Sequence, residues 1–182
     1  MQLETERLVL RPYHEGDIDA LHRIWTDPGV RRFLWDDAVI EREQAGQTVR
    51  ASLKDWEVCG LGQWTVRFKR DNEIIGFCGF RQFGEPQGWE LLYGLLPEYW
   101  GQGLALEASN AALMFGFQSS GRECIYGRTD PPNAASIRVL EKLGMRFVSL
   151  TVEGRSPVVT YSISREDYYA RNKQTDPARR TA

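Results

Sequence analysis

Residues 95–107 read LLPEYWGQGLALE, and the turn inside that stretch decides the fold. Gly101 and Gly103 stand where a strand-like run hands over to a helix-like one. A helix N-terminus exposes backbone N–H groups without intrahelical partners and carries a partial positive charge, so it suits phosphate. Glycine lets the chain wrap closely around such a group, because no Cβ blocks the approach. Two familiar phosphate motifs are excluded. A P-loop requires Gly-Lys-Ser/Thr after its second glycine, and Gly103 is followed by Leu104 and Ala105. A dinucleotide fingerprint requires a third small residue, where this chain has Leu106, and it follows a first strand rather than a late one.

Working outward from the turn, Leu104, Ala108, Ala111 and Phe115 recur at steps of 4, 3 and 4, the period of a helix packed on a sheet. Upstream, residues 63–68, 74–80 and 89–96 are β-like, the first two joined by the polar turn Lys69-Arg70-Asp71-Asn72. Residues 3–13 read as a first strand, and Asp17 caps a helix running to residue 26. Asp27-Pro28-Gly29 is a turn, and a second helix covers residues 39–56. Downstream come a strand at 124–129, a short helix at 133–143 closed by Gly144, and strands at 145–152 and 158–164. The order β-α-α-β-β-β-α-β-α-β-β implies one mixed α/β domain over residues 1–170, followed by a polar tail at 171–182.

Composition narrows the classes. Apolar residues make up 42% and charged residues 26%, the balance of a globular domain with a proper core. The formal net charge of −2 argues against a nucleic-acid partner, whose binding domain carries a basic footprint. No apolar run approaches the roughly 18 residues of a membrane span, and no signal-peptide layout opens the chain. Cys59, Cys78 and Cys124 form no CxxC pair, as expected of reduced thiols in a cytoplasmic protein. With His14 and His22 the only imidazoles, no metal site is expected.

Four pieces in order carry a resemblance: the opening ETERLVLRPY, the strand and turn WELLYGLLPEYWGQGLALEA, the segment NAASIRVLEKLGMRF and the closing TYSISREDY. Over residues 1–168 the chain resembles the GNAT family of N-acetyltransferases, in the branch of the RimJ/RimL-type ribosomal-protein N-terminal acetyltransferases. The resemblance implies the GNAT acyl-CoA N-acyltransferase fold, a mixed sheet splayed open between its fourth and fifth strands and flanked by helices, with acetyl-CoA in the opening. It implies that Gly101, Gln102, Gly103, Leu104 and Ala105 offer backbone N–H groups to the CoA pyrophosphate. Leu95 and Leu96 would pair with the pantetheine arm, Asn133 would bond it, and Ser136 would lie near the sulfur. Asn133 also suits a helix N-cap, a compatible role. Trp100 departs from the Arg or Gln usual at the start of the loop, removing a polar side chain but no backbone amide. Leu92 and Gly94 also depart from the branch, which bears on the acceptor pocket.

Acetyl transfer to an amine requires a deprotonated amine, donors for the tetrahedral oxyanion and a proton for the departing thiolate. Glu90, alone among apolar neighbours in WELLYGLL, is the candidate base, or else the charge that attracts a cationic substrate. Ser136 is the candidate proton donor to sulfur, and Tyr126 is a further candidate for lining the cleft. Trp35, beside Asp36 and Asp37, is a candidate for holding the acceptor by ring and charge, or a packing anchor. The expected activity is direct transfer from acetyl-CoA to a protein N-terminal α-amine or a small-molecule amine, by a monomer or homodimer. A CoA-binding sensor without catalysis is the alternative.

Overall fold

Alternation along the first long strand sets the layers of the molecule. Leu8 and Leu10 are fully buried, whereas Val9 and Arg11 are only partly covered, so one face of this strand meets a core. In the computed structural model, which describes residues 1–84, 88–154 and 156–175, the strands are β1 (Leu3–Glu4), β2 (Leu8–Pro12), β3 (Gln63–Phe68), β4 (Ile74–Phe83), β5 (Gly88–Leu95), β6 (Cys124–Thr129), β7 (Arg146–Glu153) and β8 (Ser156–Ser164). They form an 8-stranded sheet in the order β1-β2-β3-β4-β5-β6-β8-β7. Every neighbouring pair is antiparallel except β5 and β6, which are parallel.

The helices are α1 (Ile18–Thr26), α2 (Pro28–Arg31), α3 (Arg42–Cys59), α4 (Leu104–Ser119), α5 (Ala134–Lys142) and α6 (Arg165–Thr175). One core joins Leu8, Trp64, Phe80, Leu91 and Leu95 of the sheet to Leu104, Ala108, Ala112 and Leu113 of α4 and Leu140 of α5. A second joins Phe77 and Leu96 to Leu21, Ile24 and Trp25 of α1 and Ala45 and Val49 of α3. Small residues let α4 approach β4 closely: a Cβ on Gly116 would lie 2.7 Å from the Phe80 ring.

The decisive feature is a seam. β4 and β5 stay paired as far as Gly76 and Leu95, but β5 and β6 share only Glu90↔Tyr126 and Leu91↔Gly127. Beyond Leu91 the two parallel strands part, leaving one edge of β5 without a partner strand. Counted from the first long strand, these are the fourth and fifth, where the splay is expected.

Several local elements differ from the sequence expectation. The first strand is broken at residues 5–7, because Thr5 turns the chain: its amide donates to Leu8 O at 3.0 Å and its hydroxyl accepts from Leu8 N at 2.9 Å. β1 therefore folds back on β2. The turn at Asp27 is the cap of α2, with the carboxylate accepting from Gly29 N and Val30 N. α3 begins three residues later than expected, at Arg42. α6 is an addition, started by Ser164, whose hydroxyl accepts from Asp167 N at 3.0 Å; the expected tail boundary at residue 170 falls inside it.

Candidate active site at the open seam

The glycine turn lies at the mouth of the seam. After a short helical turn at Pro97–Tyr99, Gly101 and Gly103 both take left-handed backbone angles, φ +73° and +78°, conformations that L side chains resist. Trp100 N–H donates to Pro97 O at 3.0 Å, and the first intrahelical bond of α4 is Glu107 N to Gly103 O. Among the described residues, the amides of Gly101, Gln102, Gly103, Leu104 and Ala105 donate to no acceptor. Gly101, Gln102 and Gly103 are exposed, and a run of free donors at a helix N-terminus is suited to receiving an anion. Beside it opens a cavity of about 430 Å³ lined by Arg7, Gly103, Asn110, Lys142 and Arg171 among others.

Along the seam, Trp100 finds a use that its type did not suggest. Its indole N–H donates to Leu95 O at 2.7 Å, so the ring braces the turn against the end of β5. Leu96 is committed at both ends: its N–H donates to Ile75 O at 2.9 Å and its C=O accepts from Tyr99 N at 3.0 Å. The edge of β5 that faces the seam is thus available up to Leu95, whose C=O is taken by Trp100, and not at Leu96.

Across the opening, α5 brings Asn133 and Ser136 to β5. Asn133 Oδ1 accepts from Ser136 N at 3.1 Å, the N-cap bond expected of its type. Tyr93 Oη lies 2.9 Å from Ser136 Oγ and donates to Ser136 O at 3.1 Å. Burial pushes the Tyr93 phenol well above its ordinary value, only partly offset by the Ser136 bond, so it stays protonated as a donor. Tyr93 is not among the candidate site residues that the sequence offers. The spacing of 43 residues between it and Ser136 offers no local signal, and only the sheet register brings them together.

Glu90 projects to the other face, one residue before the last shared rung. It is 1% exposed. One carboxylate oxygen is ion-paired with Arg81, and Oε2 lies 3.5 Å from Arg128 Nη1 without a hydrogen bond among the described residues. Arg128 also pairs with Glu153 and stacks over the Phe83 ring at 4.7 Å, while Tyr126 meets Phe83 edge-on at 5.3 Å. An acid held between two guanidiniums is suited to electrostatic work.

Trp35 stands on the same side of the sheet, half-buried and edge-to-face with Trp25 at 6.1 Å. Trp35, Asp36 and Asp37 all have left-handed φ, a strained run, and Arg31 bonds Asp37 at 3.1 Å. Burial, and then the charge of Asp36, raises the Asp130 carboxyl. Among the described residues no group of three or more His, Cys, Asp or Glu side chains is arranged to hold a metal, and no described helix is long and apolar enough to cross a membrane.

A sheet opened between two parallel strands, with free amides at its mouth, is the architecture of a transferase fold, and similarity to known proteins says which. The family model for the acetyltransferase (GNAT) domain matches residues 7–146, and the chain belongs to the GNAT family of acetyltransferases. An uncharacterized N-acetyltransferase, p20 of Bacillus licheniformis, is 31% identical over 146 residues, covering 79% of this chain and 82% of that one. The GNAT-family acetyltransferase structure from Bacillus anthracis is similar at a TM-score of 0.76 with 26% identity, covering 91% of this chain and 99% of the other. RimL, a ribosomal L7/L12 α-N-protein acetyltransferase solved with coenzyme A, shares the fold at a TM-score of 0.78 and 16% identity, covering 90% and 98%.

Proposed function

We propose that this acyltransferase moves the acetyl group of acetyl-CoA onto a primary amine, with donor and acceptor held together at the seam. The observation that carries the reading is the run of unpaired amides from Gly101 to Ala105 at the start of α4. On this reading they receive the CoA diphosphate, and the nucleotide occupies the adjoining cavity near Lys142 and Arg171. The pantetheine arm pairs with the free edge of β5 as far as Leu95 and meets the Asn133 side chain, which brings the thioester beside Ser136.

Chemistry then follows from proton positions. The amine nitrogen attacks the thioester carbon, the C–S bond breaks and the nitrogen gives up its surplus proton to solvent, while the thiolate takes a proton relayed through Ser136 Oγ, which regains one from solvent beside the Tyr93 phenol. Trp35 faces the acceptor, and buried Glu90 acts there only by its charge, favouring the ammonium form rather than removing its proton. An enzyme without a strong base favours an amine that is partly free at neutral pH. An α-amine titrates near 7.7–8.0, whereas a lysine amine titrates near 10.4. The reading therefore favours an α-amine, on a peptide or an amino acid, over a lysine-like amine.

The test is an acceptor panel with acetyl-CoA, scored by released free thiol: peptides with varied first residues, amino acids, polyamines and aminoglycosides. A peptide or amino-acid α-amine is expected to lead, with a rate that climbs through the acceptor's own titration near pH 8. Turnover confined to polyamines would refute the α-amine assignment, and calorimetry showing no coenzyme A binding would refute the donor assignment.

A further inference from the structure

Arg7, in the opening ETERL, is 95 residues from Gln102 in sequence, yet it joins the glycine turn. Its Nη1 donates to Gln102 O at 3.0 Å. The same guanidinium grips Glu107 in the first turn of α4, with Nε to Oε2 at 2.7 Å and Nη2 to Oε2 at 2.6 Å. Arg7 N donates to Glu107 Oε1 at 2.9 Å, and the Thr5 hydroxyl donates to the same oxygen at 2.5 Å. This set of bonds ties the break between β1 and β2 to the start of α4.

Two consequences follow from peptide geometry and charge. In a trans peptide the C=O and the following N–H point in opposite directions. With Gln102 O drawn to Arg7, the Gly103 N–H must point the other way, away from the guanidinium and outward from the turn. Glu107 presents a second problem, because a carboxylate in the first turn of α4 would repel a diphosphate bound at that N-terminus. Arg7 neutralises it. Burial alone would raise the Glu107 carboxyl, but bonds from Thr5 and from the backbone and side chain of Arg7 outweigh that and hold it below its ordinary value.

We propose that Arg7 is a positioning residue for donor binding: it orients the Gln102–Gly103 peptide and cancels the Glu107 charge, so that the turn can accept a diphosphate. The proposal rests on the donor reading given above. It distinguishes donors by chemistry, since the effect acts only on a ligand that carries the diphosphate.

The experiment compares coenzyme A affinity by calorimetry with turnover of S-acetylpantetheine, an acyl donor lacking the diphosphate and nucleotide. Arg7→Met is expected to weaken coenzyme A binding about tenfold or more, the scale of a lost charged hydrogen bond. It is expected to leave kcat/KM for S-acetylpantetheine within about twofold of the unaltered chain. Arg7→Lys keeps a charge beside Glu107 but cannot reach both Glu107 and Gln102 O, so an intermediate loss confined to coenzyme A is expected. That variant alone decides the matter if Arg7→Met fails to fold. Unchanged coenzyme A affinity, or equal losses with both donors alongside a lowered melting temperature, would overturn the proposal in favour of a merely structural clamp. If the unaltered chain turns over S-acetylpantetheine but binds no coenzyme A, the donor reading falls and this proposal with it, an outcome distinct from any effect confined to the variants.

Discussion

The two sides of the seam are built from different material. On the α4 and α5 side the contacts are mostly main chain: the Gly101–Ala105 amides, the Leu95 carbonyl and the Asn133 cap. On the opposite side they are side chains brought from separate strands: Glu90 from β5, Arg81 from β4 and Arg128 from β6. A site made of backbone constrains conformation more than residue identity. A site made of paired charges constrains identity and changes with any one member. The first kind suits a constant ligand such as a cofactor, and the second suits an acceptor that differs among relatives.

The largest effect expected on the main-chain side comes from Gly103→Val. A Cβ there would meet only Arg7 Nη2, at 3.8 Å, so there is room for the side chain inside the protein. The burden is the φ of +78°, which a β-branched residue resists, together with a methyl group standing over the free amides. Coenzyme A affinity is expected to fall on the order of 100-fold, equivalent to one or two charged hydrogen bonds, with the melting temperature lowered by a few degrees from the strained backbone. A variant that bound coenzyme A normally by calorimetry would break the division between the two sides.

Glu90→Gln probes the charged side and should leave coenzyme A affinity untouched. A general base is worth roughly 10²–10⁴ in kcat, whereas a charge that gathers the ammonium form appears in KM for the amine. With Arg81 and Arg128 against the carboxylate, the expected result is a KM for the amine raised about tenfold, with kcat within about threefold. A fall in kcat of two orders of magnitude at constant KM would instead return Glu90 to the role of base.

Ser136→Ala and Tyr93→Phe act where the sides meet. Losing the proton donor to sulfur is expected to lower kcat about tenfold for Ser136→Ala and a few-fold for Tyr93→Phe, both with coenzyme A affinity preserved. Because burial keeps the Tyr93 phenol protonated above its ordinary value of 10.0, it should contribute no falling limb to the pH–rate profile up to about pH 10. Such a limb, absent from Tyr93→Phe, would show that the phenol titrates during turnover.

The same division explains what was legible in the sequence. The glycine turn, the helix after it and the Asn133 cap are local patterns within a few residues, and each can be read directly from residue type. The splay was legible through resemblance rather than periodicity, since nothing in β5 or β6 alone says where their pairing stops. The partners of Glu90 and Ser136 were not legible, because Arg81, Arg128 and Tyr93 meet them only through strand register. α6 was missed although Ser164 and Asp167 form a Ser-x-x-Asp start, the kind of capping pattern that marks a helix. There the β-like run before it masked the cap. The Thr5 turn was hidden in the same way: its bonds to Leu8 are local but sit inside a β-like run, and only Glu107 is distant in sequence.

The smallest effect expected concerns the clamp that ties the break between β1 and β2 to the start of α4. The Glu107 carboxyl is held below its ordinary value of 4.5. A depressed folded-state value means that the unfolded chain binds the proton more readily. The Glu107 bonds therefore contribute stability above about pH 4.5, and that contribution is lost as the pH falls through the lower folded-state value. Melting curves from pH 7 to pH 3 should show the unaltered chain losing slightly more stability across this window than Glu107→Gln, which has no carboxyl to titrate. Glu107 is mostly covered while Arg7 is 39% exposed, so solvent screens the pair and the difference should be modest. Parallel curves for the two chains would mean that the carboxylate at the start of α4 is not held by Arg7 in solution, and that the turn keeps its shape by its glycines alone.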